Sequence, residues 1–342
     1  MAHKKATIHD IARKLNTTAS TVSRALNNNP RISAATREAV LKAATELNYR
    51  PNSIASALRQ GRSQIIGILV PTANRTFFAS VIRGIEEIAN QSGYNVMIAQ
   101  SYDSREKETQ ALDALIAARV DCIIASTAKS TKDFRHFKYV QERGIPLVLF
   151  DRSNTEVESN QVVINDYQGA FKATEHLIQQ GYKRIAHLSS IYEVSIYKDR
   201  LLGYTEALKK HSLAVNEHLI IKSDLQLEDG RKSMKKLLKL SSPPDAVFSA
   251  SDYGAVGAFQ VAKENGLSIP KDMGIAGFSN EPFTSFTEPG ITTVEQHSIK
   301  MGHQAATLFF DGLNSETPEI KKIVLEPDLV IRESTLRKKS LV

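Results

Sequence analysis

The sequence predicts a small N-terminal all-α domain of the helix-turn-helix type, followed by an α/β body of two doubly wound parallel-sheet halves. Three observations carry this. The first is charge. Residues 1–62 hold 11 Lys/Arg against Asp10, Glu38 and Glu46, a balance of +8, whereas the whole 342-residue chain carries +7. All of the basic excess therefore belongs to the first sixth, the pattern of an appended polyanion-binding module. The second is periodicity, which changes at Gln64 from short amphipathic helices to apolar strands alternating with helices. The third is that this βα pattern restarts near residue 165, with too many strands for one compact sheet.

The first helix opens at Thr7, with Asp10 three residues on in the arrangement of a capping box, and turns Ile8, Ile11, Ala12 and Leu15 inward. Asn16 takes the sharp turn that follows, because Asn tolerates the left-handed backbone better than other non-glycine residues. Thr18 caps a second helix. Val22, Ala25 and Leu26 share its inner face, and Ala19, Ser20, Ser23, Arg24 and Asn27 its outer face. The run NNNP ends it. Ser33 then starts a third helix, with Val40, Ala43, Ala44 and Leu47 at i, i+3, i+4 and i+7, broken at Pro51.

Two short helices joined by a tight turn and braced by a third present the second to the major groove of double-stranded DNA. Small side chains at Ala19 and Ser20 let the helix backbone approach base edges, and Arg24 is long enough to reach a guanine or a phosphate. Thr7, Arg31 and Tyr49 are expected to hold phosphates and fix the register. A generic three-helix bundle needs no such small polar face. In the following YRPNSIASALRQGRS, Asn52 caps a further helix that Gly61 ends. About eight residues of helix are marginal alone, so this one forms against a partner. Leu58, beside Arg59 and Arg62, is a candidate apolar wedge for a minor groove, the alternative being a plain linker.

In the body, strands read as QIIGILVP, YNVMIAQS, DCIIAST, PLVLFD, RIAHLSS, DAVFSAS and MGIAGFS. Parallel strands covered on both faces bind ligands at their C-terminal ends. Residues at those ends are Thr72 to Phe78 (with the pair Phe77 and Phe78), Asp151, Ser251 with Asp252, and Ser279 with Asn280, joined by Arg200 from YKDRLLGY. An aromatic pair, a carboxylate and a guanidinium converging on a cleft suit a small polar ligand.

Other classes find little support. The nine histidines show no HxxxH spacing and no pairing with cysteine, so no metal or other cofactor is expected. There is no GxSxG and no P-loop, and GAVGAF lacks the spacing of a dinucleotide fingerprint, so an enzyme is not expected. Cys122, the single cysteine, falls in an apolar strand and suits a reducing compartment. No run of about 18 apolar residues offers a membrane span, and MAHKKATIHD lacks the apolar segment of an export signal. A cytoplasmic location is expected.

The residues ATIHDIARKLNTTASTVSRALN and ISAATREAVLKAATELNYRPNSIASALR closely resemble the lactose-repressor (LacI/GalR) family of bacterial transcription regulators. The likeness continues through SQIIGILVP, GIPLVLFDR, NDYQGAFKATEHLI, RLLGYTEAL and PPDAVFSASDYGAVGAFQVAKENGLSIPKDMGIAGFSN, nearly the whole chain. It implies a periplasmic-binding-protein-like body and a homodimer on a pseudo-palindromic operator. It also implies a division into a helix-turn-helix domain (1–50), a hinge (51–62) and a body (63–342). Within the body the subdomains would be about 63–163 with 293–325, and about 164–292 with 326–342. Ala19, Ser20 and Arg24 match base-reading positions, and Leu58 and Ala55 match the hinge contacts. Phe77, Phe78, Asp151 and Arg200 match effector positions.

Where relatives often carry ND and GFDD, this chain has Ser251-Asp252 and Ser279-Asn280. A serine has one donor and a shorter reach, which argues against the usual sugar pose; the effector expected in the cleft is carbohydrate-like, phosphorylated or larger. Control by a protein partner is the alternative, and a sugar-binding transport protein a remoter one.

Overall fold

The structure, a computed structural model, describes residues 6–49, 62–152, 154–315, 317 and 319–337. The chain forms two compact units, Met1–Ser63 and Gln64–Val342.

In the first unit, α1 (Ile8–Lys14), α2 (Ala19–Leu26) and α3 (Ala34–Glu46) enclose a core of Ile11, Ala12, Val22, Ala25, Val40, Ala43 and Ala44. The caps are those the sequence signals. The Asp10 carboxylate accepts from both the Thr7 amide (2.9 Å) and the Thr7 hydroxyl (2.7 Å). Thr18 Oγ1 accepts from the Thr21 amide and Ser33 Oγ from the Thr36 amide, bonds typically worth ~1 kcal/mol each. Asn16 takes the turn with φ +48°. The third helix stops before Pro51, however. It ends at Glu46, and Asn48 carries the chain off with φ +50°, so a left-handed Asn rather than a proline terminates it.

The second unit has two lobes. The first is built on a parallel six-stranded sheet ordered β11-β5-β4-β3-β1-β2. Its strands are β1 (Ile65–Val70), β2 (Asn95–Gln100), β3 (Cys122–Ala125), β4 (Leu147–Phe150), β5 (Asn160–Ile164) and β11 (Lys322–Leu325). One face is covered by α4 (Thr76–Gln91) and α11 (Ser298–Asn314), the other by α5 (Arg105–Ala117) and α6 (Arg135–Glu142). Where α4 crosses α11, Gly84 meets Gly302. A methyl on Gly84 would lie 2.3 Å from the Ile299 carbonyl oxygen, so only glycine permits this crossing.

The second lobe holds a parallel sheet ordered β7-β6-β8-β9, from β6 (Ile185–Ser190), β7 (Ile220–Ser223), β8 (Ala246–Ser249) and β9 (Gly274–Ala276). Helices α7 (Asp166–Gln179) and α8 (Ser195–Lys210) cover one face, α9 (Leu227–Leu238) and α10 (Asp252–Glu264) the other. Cys122 lies fully buried in the first lobe's core, and burial pushes its thiol well above the usual range, so it packs as a small apolar residue.

The chain passes between the lobes three times: at Asn165, after Glu295, and at Glu326–Pro327. Asn165 ties the first passage to the third through Glu326 at 3.2 Å. The second passage falls later than the expected boundary between residues 292 and 293. The reason is that β10 (Thr293–Glu295) pairs antiparallel with β12 (Asp328–Val330) and buries Val294 in the second lobe.

Candidate DNA-reading face and ligand cleft

Between the lobes lies a narrow cavity of about 60 Å³, room for a few water molecules. Its lining includes Phe77, Phe78, Asp151, Arg200, Ser251 and Ser279, so six residues drawn from strand ends and helices come together at one place. Two of them hold strained backbone: Asp151 has φ +59° and Ser279 has φ +124°. Strain of this kind persists where surrounding structure over-determines it, and clusters at ligand sites.

The first-lobe wall is charged. Asp151 is buried directly after β4, and that burial raises its pKa against the opposing pull of Arg152. Arg152, equally buried, donates through Nη1 to Asp103 Oδ1 and to the Thr127 carbonyl (3.2 Å). Its Nε stands 3.8 Å from Asp151 Oδ2 without a hydrogen bond. Burial acts to raise Asp103, but Arg152 and Lys129 outweigh it and hold the carboxyl below its ordinary range. The rings of Phe77 and Phe78 meet edge-on at 5.1 Å, with the Arg152 guanidinium 5.7 Å from the Phe78 centroid.

On the second-lobe wall Arg200 is fully engaged. Its Nε donates to Asp166 (2.7 Å), Nη1 to the Ala250 carbonyl (2.8 Å) and Nη2 to Gln296 (3.2 Å), over the Phe278 ring at 3.7 Å. Burial lifts Asp166 to about 7 despite this guanidinium. Arg200 thus fixes the wall, with all three guanidinium nitrogens engaged. Ser279 Oγ accepts from Gln296 Nε2 at 3.0 Å.

Two residues expected beside the serines belong to the scaffold instead and do not line the cavity. Asp252, fully buried, accepts from the Glu281 amide (2.8 Å) and the Thr293 hydroxyl (2.6 Å). Asn280 donates to Glu295 (2.7 Å) and accepts from Arg332 (2.8 Å). Sequence reasoning missed Asp103, Lys129, Arg152, Tyr197, Glu281 and Gln296, all of which line the cavity. Asp103, Lys129 and Arg152 follow β2, β3 and β4, so the strand-end rule pointed to them; Gln296 follows β10, a strand the sequence did not reveal, and Glu281 carried no such signal.

Among the described residues, two hydrogen bonds join the lobes at the cavity. Lys129 Nζ donates to Asp224 Oδ1 (2.8 Å), and Arg75 Nη2 donates to Gln226 Oε1 (2.7 Å) while stacking over the Tyr253 ring at 4.3 Å.

In the helical unit, Ser20 and Arg24 are exposed on α2, and the Arg24 side chain has no partner among the described residues. Ser23 is half-buried. Ala19 is only half-exposed because it packs on the core, as does Tyr49. Asn27 follows α2 as its C-cap and donates its side-chain N–H to the Ser23 carbonyl at 2.9 Å. The Thr7 hydroxyl is engaged by Asp10, and Arg31 is exposed. Asn52, Ala55 and Leu58 lie outside the described residues. A basic helix-turn-helix unit joined to a two-lobed body with a polar cleft is the architecture of a DNA-binding regulator.

Comparison with known proteins gives the family. Residues 7–52 match "Bacterial regulatory proteins, lacI family", and residues 174–335 match "Periplasmic binding protein-like domain". The chain is 34% identical over 331 residues to the HTH-type transcriptional repressor CytR of Escherichia coli K12, covering 96% of each chain. It is 32% identical over 330 residues to catabolite control protein A of Priestia megaterium, covering 96% of this chain and 99% of that one. The lac repressor dimer bound to operator and the anti-inducer ONPF superposes with a TM-score of 0.88 at 25% identity, covering 97% of this chain and all of that one. The CelR–cellobiose complex gives 0.74 at 29% identity, covering 96% of this chain and all of that one. The chain belongs to the lacI family and is a DNA-binding transcriptional regulator. Among the described residues no helix is long and apolar enough to cross a membrane.

Proposed function

We propose that this protein is a repressor that binds a pseudo-palindromic operator as a homodimer, and that a small carbohydrate-like ligand in the inter-lobe cleft sets its operator affinity. The observation that carries the reading is the cavity. Buried charged groups and two strained residues from both lobes converge on one small space, an arrangement that costs stability and that packing alone does not require. Relatives bound to cellobiose, or to operator with an anti-inducer, point the same way.

In this reading Ser20 and Arg24 read bases, with Ala19, Ser23 and Asn27 bordering them. Thr7, Arg31 and Tyr49 hold the backbone, and Asn52, Ala55 and Leu58 serve the hinge. Phe77, Phe78, Asp151, Ser251 and Ser279 meet the effector, which Arg200 positions by holding the wall. A ligand of sugar size enters only as the lobes part, so its binding free energy depends on lobe angle. That difference in affinity between two lobe angles is what couples to DNA, typically by ~1–3 kcal/mol.

The test is a melting-temperature screen of the full chain with sugars and sugar phosphates, followed by operator binding with every hit. A hit that changes operator affinity is expected. If nothing shifts the melting temperature, control by a protein partner takes the place of cleft control.

A further inference from the structure

Glu281 lies in the cleft wall, 4% exposed; its Oε2 is buried without a hydrogen-bond partner, and its carboxylate makes no ion pair among the described residues. This is unusual, because a buried carboxylate is normally paired. Its neighbourhood is electronegative as well: its amide is held by the Asp252 carboxylate at 2.8 Å, and it follows directly on Ser279 and Asn280. The cations nearby are already taken. Arg200 is bound to Asp166, Arg332 to Asn280, Thr284 and the Ile291 carbonyl, and Arg75 to Gln226 over Tyr253. At the first-lobe wall the reverse holds, since the buried Arg152 Nε–H lacks an acceptor. A residue lining one wall thus carries an unpaired acceptor, and a residue lining the other an unpaired donor.

We infer that Glu281 anchors a hydrogen-bond donor of the cleft ligand, a hydroxyl or an amine, and excludes phosphorylated ligands from the site. This rests on the reading of the cleft as the effector site and adds the ligand's chemistry to it. The phosphate of a sugar phosphate, acceptor-rich and anionic, would lie in a small cavity with an uncompensated carboxylate. A hydroxyl or amine instead completes the set, donating a hydrogen bond to Glu281 while another ligand oxygen accepts from Arg152 Nε.

The test uses the full chain and Glu281→Gln, which keeps the shape and removes the charge. Without any ligand the variant is expected to melt higher, by roughly 1–4 °C, because an unpaired buried charge is gone. An unchanged or lower melting temperature overturns the inference. The probes are glucose, galactose and ribose, with their amino sugars and their phosphates.

Among probes that bind, the free or amino sugar should outbind its phosphate, and Glu281→Gln should weaken it roughly 10- to 100-fold. A larger loss for the amino sugar identifies an amine at Glu281; equal losses identify a hydroxyl. A phosphate that binds more tightly than its free sugar overturns the inference. Binding that Asp151→Asn abolishes but Glu281→Gln leaves intact overturns it too, while the cleft reading stands. Binding that neither substitution alters contradicts the cleft reading itself.

Discussion

Lys129 reaches from the first lobe to the second and places its ammonium 2.8 Å from Asp224 Oδ1, with Asp103 of its own lobe at 3.8 Å. The Lys129 side chain is only 6% exposed while that of Asp224 is 41% exposed, so one partner is desolvated and the other half in water. Loss of Asp224 therefore leaves a buried ammonium with one distant partner. A double-mutant cycle of Lys129→Met and Asp224→Asn should give a coupling energy of about 0.5–1.5 kcal/mol in denaturant unfolding. Strict additivity would mean that the contact does not hold the lobes together.

The Gly84–Gly302 crossing makes a sharper packing prediction. Gly302→Ala would put a methyl 2.2 Å from the Val81 carbonyl oxygen, against backbone that cannot swing aside. It should destabilise the body by ~1–3 kcal/mol. A methyl on Gly312, on the same helix, would meet nothing within 4 Å, so Gly312→Ala should stabilise by ~0.5–1 kcal/mol. Chemical denaturation of both variants checks the pair, and effects of equal sign would contradict this packing.

Asp252 gives a pH dependence with a definite sign. Burial lifts its pKa to about 7, its two hydrogen bonds opposing. In the unfolded chain an Asp titrates near ~3.9. Between roughly pH 4 and 7 the folded protein therefore keeps a proton that the unfolded chain has released, and stability falls as pH rises through that window. Asp166, also lifted to about 7 by burial, acts in the same direction. Relative to Asp252→Asn, the native protein should gain on the order of 1 kcal/mol or more between pH 7.5 and 5. Denaturation midpoints at the two pH values measure it; a constant difference would contradict it.

The sequence made the helical unit and the seven apolar strands legible because caps and burial are local signals. Five strands escaped, β5, β7, β10, β11 and β12. They are short, partly polar, and join sheets through partners far along the chain, as Lys322–Leu325 pairs with Gln161–Ile164. The cleft was legible where residues end strands, as at Asp151 and Ser279. It was illegible at Asp252 and Asn280, which share that position but turn into the scaffold, and at Glu281, whose isolation depends on which cations neighbouring elements have already engaged.

Arg24 tests the reading face. Exposed on α2, with its side chain unpartnered among the described residues, it is free to make a bidentate base contact. Arg24→Ala should cost ~1–3 kcal/mol on operator DNA and much less on random DNA. Equal losses on both in a fluorescence-anisotropy titration would reduce Arg24 to a phosphate contact.

Coupling between lobe closure and operator affinity can be tested without knowing the effector. Asp224→Ala removes the Lys129 ion pair, one of the two cross-cleft hydrogen bonds, while leaving the helical unit untouched. Its affinity for an operator obtained by in vitro selection should differ from that of the native protein by at least about fivefold, with random-DNA affinity unchanged at the same salt. Equal operator affinity in a variant whose lobes have opened, as measured by X-ray scattering, would contradict the coupling.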